Sequence, residues 1–205
     1  MAKIKQGILE GISGKLGPIV VVNNGTSTHI RMAPTYTEAS WSAKQNQLRD
    51  RFKAVSLFVQ QYKKTMIWTI WKLAPGKGGG YHKFLGANLK AFDLDGTVKE
   101  FSLIRFSEGI LPTPFQVQTE RQSGEINLTW KNESGESPAR LNDHLWYMAV
   151  VDGKFTGPFK TQITRGVQEG LIPDPDGSVT GLYVFFAAGD EKAFSRDQYV
   201  VVAKG

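Results

Sequence analysis

The sequence predicts an α+β protein in which an N-terminal β-hairpin and helices precede an all-β second half. Three observations predict it. Two β-rich runs flank an Asn-Gly pair within residues 19–32, apolar residues recur at helical spacing from Leu48 to Leu73, and short strand-like segments separated by turn residues fill the chain after Leu111. At 205 residues the chain is long enough for two small domains. The boundary is expected at Leu111-Pro112-Thr113-Pro114, a short stiff linker that divides a basic α+β domain, 1–110, from an all-β domain, 111–205.

Gly7, Gly11, Gly14 and Gly17 lie three or four residues apart in the first stretch. No Gly-x-x-x-x-Gly-Lys-Ser/Thr pattern accompanies them, so they predict an irregular arm that turns tightly rather than a phosphate loop. Ile19-Val20-Val21-Val22 and Thr28-His29-Ile30-Arg31-Met32 then surround Asn24-Gly25, a pair that tolerates the positive φ of a tight turn. A two-stranded ribbon follows, ended by Pro34, which removes a ladder donor.

From Ser40 or Trp41 to Lys72 the period becomes helical. Leu48, Phe52, Val55, Val59, Tyr62, Met66, Ile70 and Leu73 succeed one another at spacings of three and four and form one stripe. Met66, Ile67, Trp68, Ile70 and Trp71 make the last turns apolar nearly all round. They are therefore the expected interface residues, with Trp68 or Trp71 buried against the hairpin or another subunit. Lys44, Arg49, Arg51, Lys53, Lys63 and Lys64 lie off the stripe. Pro75 to Gly80 breaks the helix, and a shorter helix is expected from Tyr81 to about Phe92. Two strands, Ala91 to Leu94 and Val98 to Phe106, are expected around Asp95-Gly96.

After the linker, strands are predicted at Phe115 to Val117, Ile126 to Trp130, Leu145 to Val151, Phe159 to Ile163, Gln168 to Ile172, Leu182 to Ala188 and Gln198 to Ala203. Ile126 to Trp130 alternates apolar and polar residues, as a strand with one buried face does. This half looks like an immunoglobulin-like or fibronectin type III β-sandwich, with Trp130 in the core and Tyr183 placed for a tyrosine corner.

The charge is unevenly spread. Up to Phe92, fourteen Lys or Arg face three acids, a net +11; beyond it eleven face sixteen, a net −5. The basic half suits a polyanion or the acidic half of another copy. The candidate nucleic-acid-binding face comprises Lys15, Arg31, Lys44, Arg49, Arg51, Lys53, Lys63 and Lys64. Without cysteine, no disulfide, zinc-thiolate site or thiol nucleophile can contribute. The N-terminal residues lack the apolar run of a signal peptide, so synthesis in the cytoplasm is expected, and no segment is long enough to span a bilayer.

Asp93-Leu94-Asp95-Gly96-Thr97 looks like the Asp-x-Asp-Gly-Thr signature of haloacid dehalogenase-type phosphatases, which would make Asp93 a nucleophile and Asp95 an acid/base. That chemistry needs an alternating α/β core, whereas the chain downstream reads as all-β, so an Asp-Gly turn is expected instead.

A wider set of motifs spans most of the chain: Lys3-Ile4-Lys5-Gln6-Gly7-Ile8, Gly14-Lys15-Leu16-Gly17, Ile30 to Pro34, Gln47 to Phe52, Asn88-Leu89-Lys90 and Phe106 to Pro112. This ordered set resembles an uncharacterised family of Bacteroidota proteins with a glycine-rich arm, a hairpin, helices and a C-terminal sandwich, related patterns of which occur in phage-derived genes. Asn24-Gly25-Thr26 stands where that family has a tryptophan-containing turn. The resemblance implies no catalytic residues. The expectation is a non-enzyme without cofactor or metal: a structural or interaction protein of a phage-like or surface assembly, with a protein partner or a second copy, or else a nucleic-acid-binding protein.

Overall fold

A computed structural model describes residues 2–4, 12–23, 27–37, 41–132 and 138–203. The chain is mixed α+β with mostly β content and divides into two compact units, Met1–Asn46 and Gln47–Gly205.

The first unit is built on a four-stranded antiparallel sheet of order β1-β4-β3-β2, from β1 (Ala2–Ile4), β2 (Gly14–Leu16), β3 (Ile19–Asn23) and β4 (Thr28–Met32). The expected ribbon is present as β3 and β4, paired from Ile19↔Met32 to Asn23↔Thr28. The Asn24-Gly25 turn itself lies outside the described residues, as do Gly7 and Gly11. Where an irregular glycine arm was expected, β2 pairs with β3 (Lys15↔Val20) and β1 with β4 (Lys3↔His29). Gly17, at φ 55°, makes the tight return from β2 to β3 that a side chain would resist.

The predicted single helix is two. Helix α1, Ala43–Gln61, starts at a reciprocal cap in which Ser42 N–H donates to Gln45 Oε1 (2.8 Å) and Gln45 N–H to Ser42 Oγ (3.3 Å). It ends in a turn where Thr65 N–H and Oγ1 both donate to the Tyr62 carbonyl. Helix α2, Met66–Leu73, then starts after an extended Thr65, and its Ile67, Ile70 and Trp71 join the core that also holds Val55, Phe58 and Val59. Helix α3, Gly80–Asn88, continues as a 3₁₀ turn at Leu89–Ala91. The strands expected around Asp95-Gly96 reduce to one bridge, Phe92↔Val98, and Phe101–Leu103 is a 3₁₀ turn.

All seven strands expected in the second half are present: β5 (Phe115–Gln122), β6 (Glu125–Lys131), β7 (His144–Val151), β8 (Lys154–Thr164), β9 (Glu169–Pro173), β10 (Val179–Ala187) and β11 (Gln198–Val201). They form an antiparallel sheet β11-β10-β7-β8 and a second, β5-β6-β9. Ser123-Gly124 and Asp152-Gly153, at φ 43°, 87°, 49° and 73°, supply the consecutive positive angles that tight hairpins need.

The expected division at Leu111 does not hold. Strands β7 and β10 are apolar on both faces, as sheets covered on both sides are. Leu145, Ala149, Leu182, Val184 and Phe186 pack with Ile126, Leu128, Trp130 and Ile172 of the other sheet. From the opposite face Trp146, Met148, Val150, Tyr183 and Phe185 pack with Val55, Phe58, Ile67, Ile70, Trp71 and Phe84 of the helices. Helices and strands therefore share a core. The expected linker is stitched into it: Leu111 N–H donates to Phe194 O (2.9 Å), and a Cβ added at Gly109 would stand 2.1 Å from that same oxygen. Tyr183 makes no local corner; its hydroxyl donates across the layers to Phe101 O at 2.6 Å.

Residues Gln47–Gly205 should accordingly melt in one calorimetric transition. Gly109→Ala should destabilise that whole transition by about 1–3 kcal/mol, the cost of forcing a methyl into occupied space. Two separate transitions, only one of them shifted, would contradict a shared core.

Candidate interaction surfaces

Cross-strand partners share a face of a sheet, so the register of the first unit sorts its side chains. Leu16, Ile19 and Met32 form one row, and Val21 and Ile30 stand beside them on the same face. Val21 is buried there, but Leu16 is 51% and Met32 69% exposed. Lys15, Val20 and Arg31 form the row on the opposite face, with His29 two residues before Arg31 and linked to Ser27 Oγ at 2.9 Å. Lys15 and Arg31 are both exposed. The sheet thus has an apolar face and a basic face.

The other predicted cations belong to the helical segment. Lys44, Arg49, Lys53, Lys63 and Lys64 are exposed on α1 or in the turn after it. Arg51 is folded back, its Nε and Nη2 both donating to the Leu89 carbonyl that ends α3. On α1, Leu48 and Phe52 continue the apolar stripe but are 48% and 50% exposed, because the core begins only at Val55.

The predicted apolar interface is mostly core instead. Ile67, Ile70 and Trp71 are buried. The Trp71 ring stacks on Phe84 at 5.1 Å, and its Nε1 donates to Phe106 O at 3.0 Å. Met66 and Trp68 are half-buried against the same cluster, Trp68 lying 6.4 Å from Tyr81. A helix apolar all round needs no second subunit when a sheet, a second helix and a loop from its own chain surround it.

Asp93 and Asp95 lie on an exposed turn. Asp95 Oδ1 accepts the Thr97 N–H (2.9 Å) and hydroxyl (2.7 Å), which hold its carboxyl below the usual range. Gly96 packs on α1, where an added Cβ would meet Ala54 Cβ at 2.9 Å. Nothing here places the two carboxylates at the end of a parallel strand. Among the described residues no cluster of three His, Asp or Glu could hold a metal ion, and no helix is long and apolar enough to cross a membrane. An open groove of about 590 Å³ follows β5 and β11, lined by Val117, Thr119, Glu120 and Val201 among others.

Buried polar residues that carry no sequence motif fasten segments together. Asn88 Nδ2 donates to Phe84 O and Arg105 O while its Oδ1 accepts Arg105 N–H. Asp197 accepts the N–H of Phe106 (2.6 Å) and Ser107 (3.3 Å) and lies 3.4 Å from Arg105 Nη1. Arg165 packs its guanidinium 4.0 Å over Phe186 and donates from Nη2 to Pro112 O at 2.7 Å, while its carbonyl accepts Trp130 Nε1. No alternation or spacing announces these residues, since they bind partners as far as 17 to 92 positions away.

Burial pushes the Asp197 carboxyl up to about 6 from 3.8, against the pull of the two N–H bonds and Arg105. The folded state therefore holds the proton more tightly than the unfolded chain. The stabilisation is complete below pH 3.8 and is lost as pH rises through 6. Asp197→Asn should remove a loss on the order of 3 kcal/mol across that window, read as a flatter pH dependence in urea denaturation. A variant that keeps the wild-type slope would assign the effect elsewhere.

No family model matches the chain, and no curated protein matches it. Among solved structures it is similar to the crystal structure of rat CD45 extracellular region, domains d3-d4, at 12% identity over 93% of this chain and 97% of that one, with a TM-score of 0.32. A likeness at that level carries no argument about this protein.

Proposed function

We propose that the chain is a non-catalytic structural or interaction protein, a component of a phage-like or surface assembly. Its seven C-terminal strands are read as an immunoglobulin- or fibronectin-like β-sandwich that is displayed, while the N-terminal sheet docks to a second copy. The observation that carries this reading is the two-faced N-terminal sheet. It is a compact unit of its own, and its apolar row leaves Leu16 and Met32 at least half exposed. Contiguous apolar side chains on a sheet face favour association because burying them removes apolar surface from water. The polar side chains inside the second unit support the same reading, since Asn88, Asp197 and Arg165 are engaged in holding segments of the chain together.

The test is sedimentation of the full chain beside a Leu16→Glu/Met32→Glu variant. The wild type should sediment as an oligomer and the variant as a monomer with an unchanged melting profile for the second unit. A wild-type monomer at every concentration would count against contact between copies.

A further inference from the structure

We infer that the basic face of the N-terminal sheet, together with Tyr36, binds single-stranded nucleic acid. This rests on reading the N-terminal unit as the docking part of the chain but uses the face opposite the apolar row. Lys15 and Arg31 flank Val20 in one cross-strand row, which sets their backbones two strand spacings apart, roughly 10 Å. His29 lies on the same face. Every charged residue described within Met1–Asn46 is basic; Glu10 and Glu38 fall outside the described residues. Such a face complements a line of phosphates, with no carboxylate among the described residues of its own unit to oppose it.

The second observation concerns the segment just past β4. Ala33 N–H donates to Pro18 O at 2.7 Å, which prolongs the β3–β4 ladder by one bond. Tyr36 follows, 63% exposed, and its ring stacks on Trp41 at 5.2 Å with the planes 18° apart. An aromatic ring held flat against another and open to solvent is a platform for an unstacked base, and every base has a π-face to lay on it. A duplex keeps its bases stacked inside, so the platform favours a single strand. Cations that fix phosphates and an aromatic that takes a base are the two parts such recognition needs.

The experiment titrates the full chain into a fluorescein-labelled oligodeoxythymidylate, and into a duplex of equal length, at increasing NaCl, and follows anisotropy. The single strand should bind more tightly, with log K falling linearly against log salt. Lys15→Gln/Arg31→Gln should flatten that slope by about 1.4, at about 0.7 for each phosphate no longer neutralised. Arg31→Lys should retain the wild-type slope. Tyr36→Ala should weaken binding about tenfold and leave the slope unchanged. All these side chains are exposed, and unchanged melting profiles confirm that the variants fold. No binding at low salt, an unaltered slope in the double variant, or a duplex bound as tightly as the single strand would each overturn the proposal. None of these outcomes touches the oligomer read by sedimentation through Leu16 and Met32, so the two readings fail separately.

Discussion

Strands β7 and β10 have no solvent face, and the architecture of residues 47–205 depends on that constraint. A strand whose successive side chains point to opposite sides must find apolar partners on both when both sides are apolar. On one side the partners are Ile126, Leu128, Trp130 and Ile172; on the other they are the aromatic and aliphatic residues of three helices and the loops after them. Phe58 alone lies within 6 Å of the rings of Phe84, Phe92, Phe106 and Phe155, four residues from separate parts of the chain. Removing the helices would expose Trp146, Met148, Tyr183 and Phe185 to water, so the helical layer is part of the sheet's own stability.

That double burial forces a second kind of contact. Segments that cross between layers carry backbone N–H and C=O groups away from water, and each needs a partner. Residues 104–111 find theirs in Asn88, Trp71, Asp197 and Phe194. Arg165 does the same at the other core, where its carbonyl accepts the Trp130 indole and its guanidinium reaches Pro112. A buried charge is tolerated there because its hydrogen bonds and the Phe186 ring replace part of the water it gave up. These residues explain why a stretch rich in proline behaves as a strap within a core instead of a hinge between two.

The N-terminal unit obeys the opposite rule. Its sheet has one apolar and one basic face, with exposed residues on both, and its charge is set by Lys and Arg. A tightly filled α+β body and a small two-faced sheet suit different tasks. The first resists deformation; the second offers surface. The proposed assembly and nucleic-acid roles both draw on that surface, one from each face.

The sequence by itself determined the elements whose signals are local. Asn24-Gly25 and its flanking β-branched residues announced β3 and β4, the 3.6-residue spacing announced the helical stretch of α1 and α2 but not the break between them, and strand-like runs bounded by turn residues located all seven later strands. Arg31 was legible as a basic strand residue and Lys15 as a basic residue, but the strand that carries Lys15 was not. Ser42 and Gln45 carried a readable start for α1 as well, through the Ser-x-x-Gln spacing. Only the tertiary structure decided what depends on distant partners. The apolar runs at Leu145 to Val151 and Leu182 to Ala188 lack alternation, the available sign of two buried faces, but periodicity cannot say which segments cover the second face. The helices turn out to cover it, so Trp71 faces its own core and Pro112 lies inside a unit rather than between two. Lys15 and Arg31 became one row only through register, since sixteen residues separate them in sequence and β3 alone brings them to the same face.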